Sequence, residues 1–136
     1  MANKNLINVT NLGGTSGSLD FSDGMKVDLQ PPVIENPSDQ MSPKHLMGMA
    51  WSTCLNATIK SIFNQNKIEN ISRVRVEVEQ KHTKELGLYY TMTAYVAVEG
   101  YSENETLKIA NMADRLCPVS KLITLNQFVS LKYEPY

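Results

Sequence analysis

Cysteine is scarce in this chain of 136 residues, which carries two, Cys54 and Cys117. Two distant thiols are too few for a disulfide scaffold, and a chain of this size buries about two thirds of its unfolded surface without needing one. Long apolar runs are also missing: nowhere do about 18 apolar residues follow one another, which excludes a membrane-spanning helix. Met1 to Thr10 lacks the apolar core of a signal peptide, so the expected location is cytoplasmic. There, glutathione and thioredoxin keep thiols reduced, and any disulfide between the two cysteines is expected to be transient.

Charge of one sign is lacking as well. Thirteen basic residues stand against fourteen acidic ones, without a like-charged block. That speaks against nucleic acid and membrane surfaces as partners and leaves a small or apolar substrate. Gly13-Gly14-x-x-Gly17 has neither the lysine nor the following helix of a phosphate-binding loop. The two histidines, His45 and His82, share no metal-ligand spacing with each other or with the cysteines. They read as surface residues, and neither a metal nor a cofactor site is expected. Internal repeats and low-complexity segments are absent.

What is present reads as one α+β domain over residues 1–136. Asn5 to Thr10 is a plausible strand, the glycine-rich turn at 13–17 leads into a strand at Ser18 to Phe21, and Asp23-Gly24 makes a hairpin turn. Met25, Val27 and Leu29 alternate with Lys26, Asp28 and Gln30 in the period of a third strand. Pro31 to Ser42 reads as a surface loop. Ser42 can then cap a helix whose first position suits Pro43, and Leu46 to Phe63 is largely apolar. Its polar residues His45, Ser52, Asn56 and Lys60 follow one narrow stripe, which predicts a central, mostly buried helix. Cys54 lies about 160 to 180° from Ser52 and His45 and points into the interior or an interface.

Farther on, Val74, Val76 and Val78 alternate with Arg73, Arg75, Glu77 and Glu79, and a second alternating run spans Leu88 to Val98. Joined by a turn containing Lys84, Glu85 and Gly87, they predict a long antiparallel hairpin with one charged face. Ser102 and Glu105 form a capping box that opens a second helix. Pro118 disfavours helical backbone at the residue before it, so this helix stops at Cys117, and a last strand runs from Gln127 to Tyr133. The predicted order is βββ-α-ββ-α-β, two main helices against antiparallel sheet.

Taken alone, a cysteine on the buried face of a helix acts as a small hydrophobe. Position suggests more, because two packed helices can bring these thiols together, and two thiols are the minimum set for one to become sulfenic acid and the other to condense with it. Ser42-Pro43-Lys44-His45-Leu46, followed after seven residues by Cys54, resembles the Asn-Pro-Glu-Gln-Leu signature before the reactive cysteine of the organic hydroperoxide resistance and osmotically inducible protein C (Ohr/OsmC) family. Cys117-Pro118-Val119-Ser120 is similar to that family's Cys-Pro-x-Ser around its resolving cysteine. The glycine turn at 13–17 and the strand after Asp23-Gly24 also fall where the family has them.

The resemblance covers nearly the whole chain. It implies an OsmC-like fold, an intertwined homodimer with active sites at the subunit interface, and reduction of organic hydroperoxides with dithiol reductants such as lipoylated protein. Cys54 would attack the peroxide and Cys117 would resolve. An apolar pocket lined from its own helix by Met47, Ala50 and Trp51 would suit an alkyl or fatty acyl peroxide, and the same residues are equally explained as core. Where the family holds its thiolate with an arginine in the glycine turn and a glutamate in the helix-start motif, this chain has Thr15 and Lys44. Arg73 and Arg75 are other candidate cations, on what otherwise reads as a solvated strand face. The alternative is a relative that kept fold and cysteines, lost efficient peroxidase chemistry, and binds an apolar ligand or senses oxidation.

Overall fold

The computed structural model describes residues 5–30 and 40–136, which fall into two compact units divided after Leu46. The first unit is built on a three-stranded antiparallel meander of β1 (Val9–Leu12), β2 (Ser18–Phe21) and β3 (Lys26–Asp28). β1 begins four residues later than the first expected strand and runs up to the glycine turn. A Cβ on Gly17 would lie 1.6 Å from the Leu12 carbonyl oxygen, so only glycine lets the chain double back there. Asn11 fastens the same turn, receiving the Gly14 amide at 3.0 Å and donating to the Gly14 and Ser18 carbonyls. At the expected hairpin turn, Asp23 accepts the Met25 amide at 3.1 Å, and Gly24 takes a φ of 92°.

Most of the expected loop, positions 31–39, lies outside the described residues. Its described end is not free surface: Met41 bridges Leu29 in parallel, and Ser42 is fully buried. Ser42 then caps helix α1 (Pro43–Gln65), with Pro43 in its first turn as the sequence predicts. The cap is reciprocal. Ser42 Oγ lies 3.5 Å from the His45 amide, while His45 Nδ1 accepts the Ser42 amide at 3.1 Å and meets the Ser42 hydroxyl at 2.7 Å. The imidazole occupies the position and role that Glu or Gln has in a capping box.

The second unit packs the rest of α1 with β4 (Ser72–Thr83), β5 (Gly87–Val98), α2 (Glu103–Leu116), a short α3 (Pro118–Ile123) and β6 (Val129–Tyr133). β4 and β5 form the predicted hairpin, in register from Ser72 opposite Val98 to Thr83 opposite Gly87. The capping box of α2 is realised in both halves: Ser102 Oγ accepts the Glu105 amide at 3.2 Å, and Glu105 accepts the Ser102 amide at 3.0 Å. Those bonds hold the Glu105 carboxyl below its ordinary range.

Two features depart from the sequence-based expectation. The first is α3, a helical turn and a half that follows directly on Cys117. The second is strand direction. β6 begins at Val129 and runs parallel to β5, with Met92 opposite Val129 and Val96 opposite Tyr133, so the sheet order is β4-β5-β6 and only its first pair is antiparallel. A parallel neighbour needs a crossover of a dozen residues or more, and the α2–α3 stretch supplies it.

The core lies between the helices and the middle strand. Trp51, Leu55, Ile59, Ile62 and Phe63 of α1 meet Met92, Ala94, Val96 and Val98 of β5, with Ala110, Ala113 and Cys117 completing the cluster. Spacings of four, four and three along α1 are those of one helical stripe. The helix is thus not buried over most of its circumference, as its composition predicts: Met47, Met49 and Ala50 are exposed.

Candidate functional site

The two cysteines reach one another from different elements. Cys54 sits in the middle of α1, one position before the buried Leu55, and is partly exposed beside the core. Cys117 is fully buried, between α2 and α3. Its extended backbone, with φ −65° and ψ 121°, is what Pro118 imposes on the residue before it. Its amide still closes α2 on the Ala113 carbonyl at 2.7 Å, and its carbonyl accepts the Lys121 amide of α3 at 3.0 Å. The sulfur is pinned by caps on both sides.

Both thiols are free, and they lie near enough for each to perturb the other's ionisation. Burial pushes the Cys54 thiol above its ordinary pKa; the Val119 amide opposes this and the Cys117 sulfur adds to it. At Cys117 burial also disfavours the thiolate. Donation from the Ser120 hydroxyl and amide, the Cys54 thiol and the Val119 amide outweighs it and brings Cys117 below its ordinary value.

A cavity of about 440 Å3 opens beside Cys54, lined by Ala57, Thr58, Ser61, Ile62 and Gln65 of α1 with Leu116 and Pro118. These α1 residues follow Cys54 at helical spacing, so the cavity extends toward the carboxyl end of the helix. The lining expected from Met47, Ala50 and Trp51 is not what forms. Trp51 is core, Ala50 is exposed, and Met47 lines a separate hollow of about 210 Å3 with Tyr90, Met92 and Phe128. The Thr58 hydroxyl bonds back to the Cys54 carbonyl at 2.9 Å. None of the lining residues is charged.

The other singled-out residues are engaged elsewhere. Arg73 and Arg75 lie on the face of β4 opposite the core-facing valines. Arg75 binds Glu134 at 2.9 Å and stacks over Tyr95, and Arg73 donates to the Pro135 and Tyr136 carbonyls. Thr15 and Lys44 belong to the first unit, in the glycine turn and the first turn of α1. His82 is exposed on β4, and His45 serves the α1 cap. No group of three or more His, Cys, Asp or Glu could hold a metal among the described residues, and no described helix is long and apolar enough to cross a membrane.

One participant has no role in the sequence reading. Ser120, inside the Cys117-Pro118-Val119-Ser120 motif, donates its amide to Cys117 Sγ at 3.4 Å and accepts the Trp51 indole N–H at 2.9 Å. The spacing of three between Cys117 and Ser120 is that of a helix cap and its N3 amide, a local signal readable from Pro118 onward. The tryptophan partner, 69 residues away, leaves no such signal.

Comparison with known proteins follows the same lines. The family model described as OsmC-like protein matches residues 36–132. The organic hydroperoxide resistance protein-like protein of Mycoplasma pneumoniae is 22% identical over 120 residues, spanning 87% of this chain and 86% of that one. The organic hydroperoxide resistance protein-like 2 of Staphylococcus epidermidis is 28% identical over 92 residues, 66% of this chain and 65% of its own. Among solved structures, the organic hydroperoxide resistance protein OhrB of Bacillus subtilis superposes with a TM-score of 0.76 at 21% identity, covering 96% of this chain and 98% of that one.

Proposed function

The chain belongs to the OsmC-like protein family, and we propose that it is a thiol-dependent peroxidase that reduces organic hydroperoxides, with Cys54 attacking and Cys117 resolving. Family membership, with relatives named for organic hydroperoxide resistance, supports a redox or peroxide-related role. The observation that carries the finer reading is a pair of neighbouring free thiols of which one, Cys54, lies in the wall of an open, uncharged cavity. Its volume falls in the range of roughly 300 to 1,000 Å3 common to small-molecule sites. Ala57, Ile62, Leu116 and Pro118 suit an alkyl chain, and Thr58, Ser61 and Gln65 suit a polar head.

The Cys54 thiolate attacks the terminal peroxide oxygen. The O–O bond breaks, the alkoxide leaves and is protonated to the alcohol, and Cys54 becomes sulfenic acid. Cys117 then attacks the Cys54 sulfur, water is lost, and a disulfide forms. An external dithiol, of which lipoylated protein is the proposed class, reduces that disulfide by exchange and is itself oxidised to a disulfide. The cycle needs a compartment that keeps thiols reduced, which is the cytoplasm. The proposed partner is a second copy of this chain. Met47, 39% exposed, and Leu122, 86% exposed, line one hollow and leave apolar surface that a homodimer would cover.

Purified protein should consume an organic hydroperoxide in the presence of a dithiol, and mass spectrometry after peroxide treatment should find Cys54 joined to Cys117. Cys54→Ser should abolish turnover; turnover retained in that variant overturns the mechanism. A second reading is favoured by the rise at Cys54 and by the uncharged lining. On it the protein is a weakened relative that binds an apolar ligand or senses oxidation, and Cys54 is oxidised stoichiometrically without turnover.

A further inference from the structure

The cavity beside Cys54 follows one line of its helix. At about 100° and 1.5 Å per residue, Ser61 and Gln65 fall within about 20° of Cys54 around α1 and stand about 10 and 16 Å beyond it. All three line the cavity, as do Ala57, Thr58 and Ile62 between them, and Leu116 and Pro118 line it from the junction of α2 and α3. The Thr58 hydroxyl is engaged by the Cys54 carbonyl at 2.9 Å, whereas no hydrogen bond among the described residues holds the Ser61 hydroxyl or the Gln65 side-chain amide. Both side chains are exposed and can address a ligand. The one charged residue in this half of α1, Lys60, lines a different cavity with Asn56 and Asn64. The groove therefore has a sulfur at one end, apolar wall along its length, and at the far end a neutral amide with both donors and an acceptor to offer. A carboxylate brought there would lose part of its hydration with no cation in the lining to offset the loss, whereas an ester or a hydroxyl is satisfied by a single neutral partner.

We propose that this groove takes a long-chain acyl hydroperoxide whose polar end is uncharged, an ester or an alcohol in preference to the free carboxylate, and that Gln65 is the specificity-determining residue that reads that end. The inference rests on the peroxidase reading for the reaction at Cys54, while occupancy of the groove stands apart from it. The peroxide group lies at Cys54, the chain runs past Ala57 and Ile62 under Leu116 and Pro118, and the ester carbonyl accepts from the Gln65 amide about 16 Å from the sulfur. Ser61, about 10 Å from the sulfur, serves the polar end of a shorter chain in the same way. A molecule with its peroxide next to its polar end cannot fill both positions, so a peroxide set well along the chain is the class that fits. Small hydroperoxides without a second polar group use the Cys54 end alone and forgo the contact at Gln65.

Protection of Cys54 from alkylation by iodoacetamide, read at the Cys54 peptide by mass spectrometry on reduced protein, measures occupancy without turnover. Ricinoleic acid and its methyl ester, both below their micellar concentrations, are the probes. Each carries a hydroxyl well along the chain, where the substrate carries its peroxide, and the two differ in the charge of the far end. The ester should protect at a concentration at least about tenfold lower than the acid. Gln65→Leu should weaken protection by the ester about threefold to tenfold, the effect of one neutral hydrogen bond, and Gln65→Lys should bring the acid level with the ester or ahead of it. Gln65 is exposed at the end of α1, so neither variant disturbs the core. Equal protection by the two probes in the wild type, or preference for the acid, overturns the proposal. So does ester protection that Gln65→Leu leaves unmoved, or a Gln65→Lys variant that still disfavours the acid tenfold. Absence of peroxide turnover with the protection and its dependence on Gln65 intact supports the groove assignment and overturns the peroxidase reading alone.

Discussion

The two faces of the β4–β5–β6 sheet use hydrogen bonds and charges to opposite effect. On the outer face, Arg73, Arg75, Glu77 and Glu134 share ion pairs, ring contacts and carbonyls, and Arg75 by itself has three partners, Glu77, Glu134 and the Tyr95 ring. On the inner side, an indole N–H donates to the Ser120 hydroxyl and the Ser120 amide donates to the Cys117 sulfur. The outer network is larger in count and weaker in consequence, because water and salt compete for each of its members. The inner chain is buried, and there each neutral hydrogen bond is unscreened by water, so losing one leaves a polar group without a partner. Counting polar contacts would rank these regions in the wrong order; burial ranks them correctly.

The sharpest way to break this comparison is at Trp51, where packing and polarity meet. Trp51→Ala removes the largest fully buried side chain of the core and leaves the Ser120 hydroxyl without its donor. Large-to-small substitution of a buried aromatic residue costs about 3–5 kcal/mol, and urea unfolding should place Trp51→Ala in that range. A loss under about 1 kcal/mol would mean that the indole is not core. Trp51→Phe keeps a ring in the core and removes only the N–H bonded to Ser120, so it should cost much less, which separates the packing role from the hydrogen bond.

How much of this was readable beforehand varies with how local each cause is. The alternation of Val74, Val76 and Val78 with Arg73, Arg75 and Glu77 placed the hairpin and its two faces, because side-chain period is a property of one strand. Ser42-Pro43, Ser102 with Glu105, and Cys117-Pro118 marked the helix boundaries, because caps act over three or four residues. Strand direction is different: alternation is identical in parallel and antiparallel strands, so β6 looked like an antiparallel closing strand until the α2–α3 crossover was seen. α3, at six residues, is too short for a helical period to register. The apolar circumference of α1 tells which residues favour burial, not how many one chain can cover, and Met49 and Ala50 are left outside. At the site, both cysteines and the motif around Cys117 were legible. Their neighbours were not, because Trp51 meets Ser120 only through tertiary packing, and the cavity runs along the half of α1 that follows Cys54.

A middle-sized effect is expected at the α2 cap, which is solvent-exposed like the outer network but satisfies backbone donors that have no other partner. Ser102→Ala should cost about 1 kcal/mol, measured by the same urea titration. The Glu105 carboxyl is held low by its bonds to Ser102, so its contribution is present above the carboxyl's unfolded pKa and is lost as pH falls through the folded one. The difference between wild type and Ser102→Ala should accordingly narrow in acid. A difference that widens there would remove the carboxylate from the account.

The smallest effect belongs to a residue with several partners. Arg75 pairs with Glu134 and Glu77 and stacks on Tyr95, yet its side chain is 46% exposed. Exposed pairs gain little over their hydrated ions and must still order two long side chains. Arg75→Ala should therefore shift the urea midpoint less than Ser102→Ala does, and less again at high salt, where screening has already weakened the pairs. The Glu134 carboxyl is pulled low chiefly by its hydrogen bonds to Arg75, with Arg73 adding to it. That contribution exists above the carboxyl's unfolded pKa and disappears as pH falls through the folded one, so whatever small penalty Arg75→Ala carries at neutral pH should vanish in acid. Peroxide turnover should be untouched, because the guanidinium lies on the far side of the sheet from the thiol pair. A marked loss of turnover in Arg75→Ala would join the two faces that the structure keeps apart.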